Sequence, residues 1–391
     1  MMQEHASRKH ALLSASGASR WINCPPSARL TEHLPSKQST YADEGTVAHE
    51  YAEIKLTRRL TKCNSADRKR LDDQEEKIKK NKYYNAEMEA YVQWYVDLVE
   101  ESFLDAKGRS EDATALLEAK LDLTEWIPDG FGTSDVTIIS DGVLEVIDLK
   151  YGKGVPVSAV NNPQIRLYAL GAIAEFGWMY DVHTVKMTII QPRLDSISTD
   201  EITADDLNEW AENVVKPAAK LADAGEGEYK AGSHCRWCLA KGNCRARADE
   251  NLKAVAHEFQ DPALLSNEEI GPILHIAVHL QQWVKDVQEY AKDELLRGNK
   301  IPQWKLVEGR GKRIITDTDK AAVLLKESGY EENKLYKPRE LQSMTALEKV
   351  VGKKNFTEIL GELIEKQPGD PKLVAETDPR PELNSAEADF K

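Results

Sequence analysis

The chain has 391 residues, 41% of them hydrophobic, and its 52 lysines and arginines are outnumbered by 66 aspartates and glutamates, for a formal net charge of −14. This negative net charge argues against a broad basic surface that coats nucleic acid, but it is compatible with an enzyme that binds DNA in a narrow groove. No apolar run reaches about 18 residues and the N-terminal segment lacks the apolar core of a secretory signal, so we expect a cytoplasmic protein without a membrane partner.

The N-terminal part of the chain has helical spacing. The Ser- and Gly-rich segment 14–19 predicts a short capped helix that ends in a turn at Pro25 and Pro26. Residues 43–62 predict a longer helix. The charged run 65–82 is either a solvated helix face or a loop, and the aromatic-rich segment 83–104 predicts an amphipathic helix.

The middle of the chain alternates between strand and helix patterns. Asp141 and Gly142 separate two of the strand segments, and this dipeptide is a strong hairpin signal. The order helix, three strands, helix, strand predicts an α/β core with a mixed sheet. In chain order the predicted elements are strands at 115–121, 132–140 and 143–150, a helix at 161–176, a strand at 182–191 and a helix at 204–223.

The last third of the chain predicts a mainly helical extension. Residues 266–297 form one long helix or two shorter ones, 302–316 a hairpin or an edge strand pair, and 338–366 a small helical unit. From about Gly369 onward, Pro, Asp and Glu dominate, which is typical of disorder. We therefore predict a core domain at 1–250, a helical extension at 251–368 and a disordered tail at 369–391.

Two aspartates and a lysine mark the predicted hairpin. Asp148 and Lys150 alternate along one strand and therefore point to the same side of the sheet. Asp135 lies on the preceding strand, where pairing brings it close to Asp148. Two carboxylates so placed favour Mg²⁺ or Mn²⁺, and a neighbouring lysine can orient water or stabilise charge on a phosphate. Taken alone, the pattern also fits a surface ion pair.

Two helices carry pairs of polar residues at a spacing of four, which places each pair on one helix face. His49 and Glu53 can present an imidazole and a carboxylate to one metal ion, or lie in solvent as a partly exposed pair. Gln164 and Tyr168 follow the predicted strand that carries Asp148 and Lys150. The alternative for them is a core tyrosine with the glutamine at its rim.

Cysteines are concentrated near residue 240. Cys235 and Cys238 form a C-x₂-C pair, Cys244 follows six residues later, and Cys24 lies far upstream. An odd number of cysteines in a cytoplasmic protein is poor evidence for disulfides. Four thiolates can hold a [4Fe–4S] cluster or tetrahedral Zn²⁺, and the spacing does not separate them. Cys63 has no partner in this pattern and is expected to be a free thiol.

The segments GTVAHEYAE, GFGTSDVTIIS, DLKYGKG and NPQIRLYALGA resemble, in order, the motifs of RecB-type nucleases of the PD-(D/E)XK superfamily. The resemblance implies a restriction-endonuclease-like core in which His49, Asp135 and Asp148 bind Mg²⁺ or Mn²⁺. It further implies catalytic or supporting roles for Glu53, Asp135, Asp148, Lys150, Gln164 and Tyr168.

The cysteine pattern resembles that of the AddB-type and CRISPR-associated relatives of these nucleases. It implies a [4Fe–4S] cluster on Cys24, Cys235, Cys238 and Cys244, which would tie the N-terminal segment to the loop that follows the core. With the segments ASRWINCPPSARL and CRWCLAKGNC, the chain is similar to a phage and prophage branch of the family. That branch implies a bacterial or phage-infected host cell.

The resemblance implies a metal-dependent DNA exonuclease that processes DNA ends, in phage recombination beside a single-strand annealing protein. A homo-oligomer is compatible with it. The alternative is a nuclease-fold scaffold that binds DNA or a recombination partner. Candidate DNA contacts, weighed against ordinary loop solvation, are Arg20, Lys153, Arg236 and Trp237.

Overall fold

The structure is a computed structural model that describes residues 12–35, 40–252 and 267–307, together with residues 323 and 327. The chain divides into two compact units, residues 1–290 and residues 291–391. The predicted helical unit at 338–366 and the predicted tail lie outside the described residues. Of the predicted hairpin at 302–316, only 302–307 are described, and they contain no strand. The three predicted domains stay a prediction.

Helices and strands alternate as the sequence pattern predicts, with differences at their ends. The strands are β1 Thr114–Asp122, β2 Phe131–Ser140, β3 Val143–Leu149, β4 Thr184–Gln191 and β5 Ser196–Thr203. The helices are α1 Ala18–Asn23, α2 Ser27–Leu30, α3 Thr40–Leu60, α4 Ser65–Lys79, α5 Ala86–Arg109, α6 Pro163–Tyr180, α7 Ala204–Trp210, α8 Lys216–Ala224, α9 Arg245–Leu252 and α10 Asn267–Leu296. Within the described ranges, no helix has both the length and the apolar character needed to cross a bilayer.

The charged run after α3 is a helix, α4, which settles the choice between helix and loop. Asn64 caps it by accepting a hydrogen bond from the backbone of Asp67, and the Asp67 carboxylate accepts one from the Asn64 backbone in return. Leu71 and Ile78, two turns apart, are the buried residues of this helix. A single narrow apolar stripe therefore holds α4 in place.

The five strands form one mixed sheet in the order β1-β2-β3-β4-β5. β3 and β4 are parallel, and the other neighbours are antiparallel. The parallel pair requires a crossover, which α6 supplies. The strand β5 was not predicted, because its sequence SISTDEIT is largely polar. Its alternation between half-buried and exposed residues is typical of an edge strand.

The two faces of the sheet are covered by different helices. Leu144 and Val146 of β3 pack in a core with α6. Ile147 and Leu149 of the same strand pack in a second core with α3 and α5. The change of face between 146 and 147 follows the predicted alternation along the strand. Each fully buried aliphatic side chain contributes about 1.5–3 kcal/mol to folding, so both faces are firmly covered.

Candidate functional site

The helix α3 presents a histidine to the strand β2. His49 Nδ1 lies 3.3 Å from Oδ1 of Asp135. The other carboxylate oxygen of Asp135, Oδ2, accepts a hydrogen bond of 2.8 Å from the backbone N–H of Leu149. Asp135 is thereby fixed by the neighbouring strand β3, and its Oδ1 faces the imidazole.

A third ligand-type side chain, Glu118 of β1, completes this group. The pairing of Leu117 with Val136 and of Ala119 with Ser134 places Glu118 opposite Asp135. Its backbone has φ of +48°, a left-handed conformation that is unusual for glutamate. Ligand atoms of His49, Glu118 and Asp135 all lie within 4.8 Å of one another. One imidazole nitrogen and two carboxylates make a donor set suited to Mg²⁺ or Mn²⁺.

The strand β3 contributes a buried carboxylate and a lysine. Asp148 is 3% exposed. Lys150 Nζ lies 2.8 Å from Asp148 Oδ2, a distance typical of an ion pair. The lysine ammonium is therefore the charged partner of this oxygen. A carboxylate oxygen has more than one acceptor direction, so Asp148 can still offer a ligand atom to a cation.

Lys150 is held from a second side by α6. Its Nζ donates a hydrogen bond of 3.1 Å to Oε1 of Gln164, and Nε2 of Gln164 donates one of 3.0 Å to the hydroxyl of Tyr168. A Cβ atom at Gly132 would lie 2.8 Å from the Tyr168 ring, so glycine is needed for this ring to pack against β2. The three polar groups form a chain that fixes the lysine amine beside Asp148.

The charges of this site alter one another's protonation. Burial opposes the charged form of His49, but the nearby Asp135 carboxylate outweighs it and raises the pKa of the imidazole. Burial likewise opposes ionisation of Asp135, yet His49 and the Leu149 N–H hold its pKa below the usual range. Burial raises the pKa of Asp148, with Lys150 opposing and Asp135 adding to the shift. Burial and the Asp135 charge raise the pKa of Glu118 to about 7.

Glu53 is placed differently from the other motif residues. It is exposed and does not belong to the group formed by His49, Glu118 and Asp135. It lines a cavity between α3 and α4 together with Glu50, and burial with the Glu50 charge raises the pKa of Glu53. The carboxylate found at the site is instead that of Glu118. The antiparallel pairing of β1 with β2 sets Glu118 opposite Asp135, and the sequence pattern of β1 did not show this register.

Four of the five cysteines line one narrow cavity. These four cysteines are Cys24, Cys235, Cys238 and Cys244. Cys63 lies elsewhere, beside Thr57 and Thr61 at the end of α3. No disulfide links any of the five. The structure therefore brings the C-x₂-C loop and the N-terminal Cys24 to one cavity.

Hydrogen bonds and burial shift the pKa values of the cysteine thiols in different directions. Burial raises the pKa of the Cys24 thiol, but the His234 side chain and the backbone of Lys230 outweigh it, so the net shift is downward. Burial raises the pKa of Cys238. Within the described residues, the cysteine sulfurs do not form a group as tight as 4.8 Å.

A buried ion network joins the cysteine loop to α10. Asp286 is 4% exposed, and its carboxylate lies 2.6 Å from the guanidinium of Arg247 and 3.2 Å from Lys241 Nζ. These two cations flank Cys244 in the chain. Gly242 lies against Tyr290, where an added Cβ would meet the tyrosine at 2.6 Å. Both charge and close packing therefore hold α10 on this loop.

The four candidate DNA contacts fall into two groups. Arg20 is committed to the protein, because its guanidinium donates to Ser27 and Thr31, the former at 2.8 Å. Lys153 is exposed in the loop after β3. Arg236 stacks over the ring of Trp237, which is 70% exposed. The last two residues form an open cationic and aromatic surface next to the cysteine cavity.

The fold and the site define a mixed α/β protein whose five-stranded sheet carries a buried group of histidine, carboxylates and lysine. The chain belongs to the family described as "Protein of unknown function (DUF2800)", whose model matches residues 10–381. It is also similar to two solved structures at low identity. One is titled "Crystal structure of SSO0001", with 16% identity, a TM-score of 0.22, and coverage of 59% of this chain and 96% of that one.

The second solved structure is a "Putative exonuclease" from Eubacterium rectale. It shares 13% identity with this chain, with a TM-score of 0.34, and the match covers 68% of this chain and 94% of that one. With TM-scores this low, neither structure decides the fold or the function of this chain.

Proposed function

We propose that this chain is a divalent-metal-dependent deoxyribonuclease whose active site is formed by α3, β1, β2 and β3. The observation that carries the proposal is the convergence of one imidazole, three carboxylates and one lysine amine on a buried end of the sheet. His49 is 3.3 Å from Asp135, and Lys150 is 2.8 Å from Asp148. A merely structural ion pair needs only two of these groups.

The donor set fits a hard divalent cation. His49, Glu118 and Asp135 would hold it, with Asp148, whose pKa responds to the Asp135 charge, adding a further carboxylate. When bound, Mg²⁺ or Mn²⁺ supplies Lewis acidity to a phosphodiester and makes water more acidic. Its charge would also favour ionised carboxylates and a neutral imidazole in this group.

The remaining residues position charge for phosphodiester hydrolysis. Burial opposes the charged form of Lys150, but Asp148 outweighs it and raises the lysine pKa, so the amine is a cation at neutral pH. Held between Asp148 and Gln164, this amine is fixed where it can stabilise charge on phosphate oxygens. Tyr168 keeps Gln164 in place through the hydrogen bond between them.

The substrate would be linear DNA, and the attack would be exonucleolytic at its ends. The motif resemblance supports this part of the proposal, together with its setting in phage recombination beside a single-strand annealing protein. Lys153 is the exposed cation nearest in sequence to the catalytic strand. Trp237, stacked with Arg236, offers a flat aromatic surface for an unpaired base. A few local contacts of this kind are compatible with the acidic net charge.

The cysteine cavity would hold a [4Fe–4S] cluster on Cys24, Cys235, Cys238 and Cys244. Four thiolate donors around one cavity fit this group, and the motif resemblance favours it over zinc. The role of the four ligands would be mechanical. They would join the residue that ends α1, Cys24, to the loop that precedes α9.

The test is degradation of end-labelled linear DNA by the purified full chain with Mn²⁺ or Mg²⁺, with and without EDTA. We expect metal-dependent release of short products, at least about 100-fold slower in Asp148→Asn and Lys150→Ala. Asp141→Asn, at the exposed tip of the same hairpin, is the matched control and should retain activity. Equal activity in all three variants would exclude this site. Retained DNA binding without degradation would favour the scaffold alternative.

A further inference from the structure

The segment from Arg58 to Lys82 is basic in an otherwise acidic chain. It joins the end of α3 to α4 and contains ten lysines and arginines against five aspartates and glutamates, a net charge of +5. The whole chain has a net charge of −14. We call residues 58–82 the basic segment. A positive field of this kind favours a partner that carries many negative charges.

Acidic neighbours neutralise only part of the positive charge in the basic segment. The cations that have acidic partners are Arg58, Arg59, Arg70, Lys79 and Lys80. Lys62, Arg68 and Lys69, close to the turn between α3 and α4, are exposed. Their side chains form no salt bridge or hydrogen bond with any described residue. Lys62 and Arg68 line the same open recess, so their charges are available to a partner.

The stability of α4 does not account for these cations. Arg68 and Lys69 are the fourth and fifth residues of the helix, close to its N-terminus. The dipole of a helix is positive at that end and favours acidic side chains there. The buried residues of α4 are Leu71 and Ile78, so the cations are not needed for packing either. A function outside the folded chain is therefore the better explanation for them.

The helix α3 connects the basic segment to the proposed active site. His49 lies within α3, and the helix ends at Leu60, just before Lys62. At 1.5 Å per residue, the distance along the helix from His49 to Leu60 is about 16 Å. Each base pair advances a DNA duplex by about 3.4 Å, so this distance corresponds to about five base pairs. A duplex whose end lies at the active site is therefore long enough to reach the three cations.

We propose that Lys62, Arg68 and Lys69 form a docking surface for duplex DNA and bind its backbone phosphates about five base pairs from the end that is degraded. This inference rests on the proposed function, which places the DNA end at the nuclease site. Contacts to phosphates carry no sequence information, so the surface holds any duplex. The cations do not touch the reacting atoms. Their loss should therefore raise KM and leave kcat nearly unchanged.

The test measures binding of the full chain to a labelled duplex of about 20 base pairs, long enough to span both sites. Fluorescence anisotropy is recorded in EDTA over a range of salt concentrations. The variant Lys62→Gln/Arg68→Gln/Lys69→Gln removes the three cations. The matched control removes three exposed cations outside the basic segment, as Arg109→Gln/Lys220→Gln/Lys300→Gln.

We expect the variant in the basic segment to bind duplex DNA at least about tenfold more weakly than wild type. The slope of log affinity against log salt should fall by about 1 for each cation removed. In the nuclease assay with Mn²⁺, its KM should rise by a similar factor while kcat stays within about twofold. The control should match wild type in all three quantities. Both proteins should melt like wild type, because none of the altered side chains has a partner to lose.

Different results separate the two proposals. If the variant in the basic segment keeps the wild-type affinity and salt slope, the docking surface is overturned, and metal-dependent degradation by wild type still supports the proposed function. If binding depends on the three cations but wild type degrades no DNA with Mn²⁺, the proposed function fails and the DNA-binding surface stands. Should the variant melt lower, affinities measured below its transition decide.

A polyglutamate peptide tests for an acidic protein as the partner. We expect wild type to bind the duplex much more tightly than polyglutamate at the same salt concentration. If the three substitutions weakened binding to polyglutamate but not to the duplex, the partner would be an acidic protein and the docking surface for DNA would be overturned.

Discussion

His49 Nδ1 lies 3.3 Å from Asp135 Oδ1, although the first belongs to α3 and the second to β2. This contact exists only when α3 is docked on the sheet. Two further contacts hold the helix there. Lys55 of α3 donates to Glu89 of α5 at 2.7 Å, and Glu44 of α3 pairs with Arg193 beyond β4 at 2.8 Å. The integrity of the site therefore depends on helix packing as well as on the sheet.

The structure predicts that Glu118, and not Glu53, is the glutamate of the cation site. Glu118→Gln should weaken Mn²⁺ binding and slow DNA degradation by at least about tenfold, because it removes a charged ligand. Glu53→Gln changes an exposed side chain outside the ligand group and should stay within about threefold of wild type. Calorimetry and the nuclease assay measure both variants. If Glu53→Gln impaired Mn²⁺ binding and DNA degradation more than Glu118→Gln, the glutamate ligand would be Glu53.

The carboxylate of Glu89 should form an acid-sensitive contact between α5 and α3. Burial opposes its ionisation, but hydrogen bonds from Lys55, Tyr51 and Tyr84 outweigh this and lower its pKa to about 2 from the ordinary 4.5. A lowered pKa means that the stabilisation is complete above pH 4.5 and is lost as the pH falls toward 2. Glu89→Gln should therefore melt a few degrees below wild type at pH 7.

Melting curves at pH 7 and pH 3 measure this effect, and the gap between Glu89→Gln and wild type should narrow at pH 3. The side chain is 38% exposed, so solvent screening keeps the difference modest. Glu87→Gln, on the first turn of the same helix, serves as the comparison. If the melting temperatures of Glu89→Gln and wild type differed by the same amount at both pH values, the lowered pKa of Glu89 would be contradicted.

Because Asp286 of α10 pairs with Arg247 and Lys241, we expect α10 to shield the cysteine loop from solvent reagents. Asp286→Ala leaves Arg247 and Lys241 without their buried counter-charge, which costs about 3–5 kcal/mol in comparable sites. We expect a lower melting temperature and faster iodoacetamide labelling of Cys244 in metal-free protein. Asp249→Ala, an exposed acid on α9, is the control. Labelling of Cys244 at the wild-type rate would show that α10 does not shield the loop.

If the four cysteines of the cavity bind an iron–sulfur cluster, we expect the purified protein to absorb visible light. Anaerobically purified wild type should show a broad absorption band in the violet region with stoichiometric iron and sulfide. Cys24→Ala should lose the band, because it removes the ligand from α1. Cys63→Ala should keep it, since that thiol lies at the end of α3. A colourless protein with one zinc ion per chain would show that the four cysteines bind zinc and not an iron–sulfur cluster.

Much of the fold could be predicted from local sequence patterns. Residues four apart on one helix are neighbours in any helix, and the hydrogen bond between Gln164 and Tyr168 follows that rule. Alternation along β3 places Asp148 beside Lys150 for the same local reason. The strands β1 to β4 were found because their apolar residues are frequent. β5 was missed, because an edge strand buries so little that its sequence is mostly polar.

The sequence by itself determined the helices α3, α5 and α6, four of the strands and the residues that share a face within one element. Those relationships depend on backbone geometry over a few residues. Only the tertiary structure decided that Glu118 joins Asp135, that Glu53 stays outside, and that Cys24 reaches the C-x₂-C loop. These outcomes depend on strand register and on the docking of helices. Such long-range packing is set by the summed burial of many side chains, which no short stretch of sequence contains.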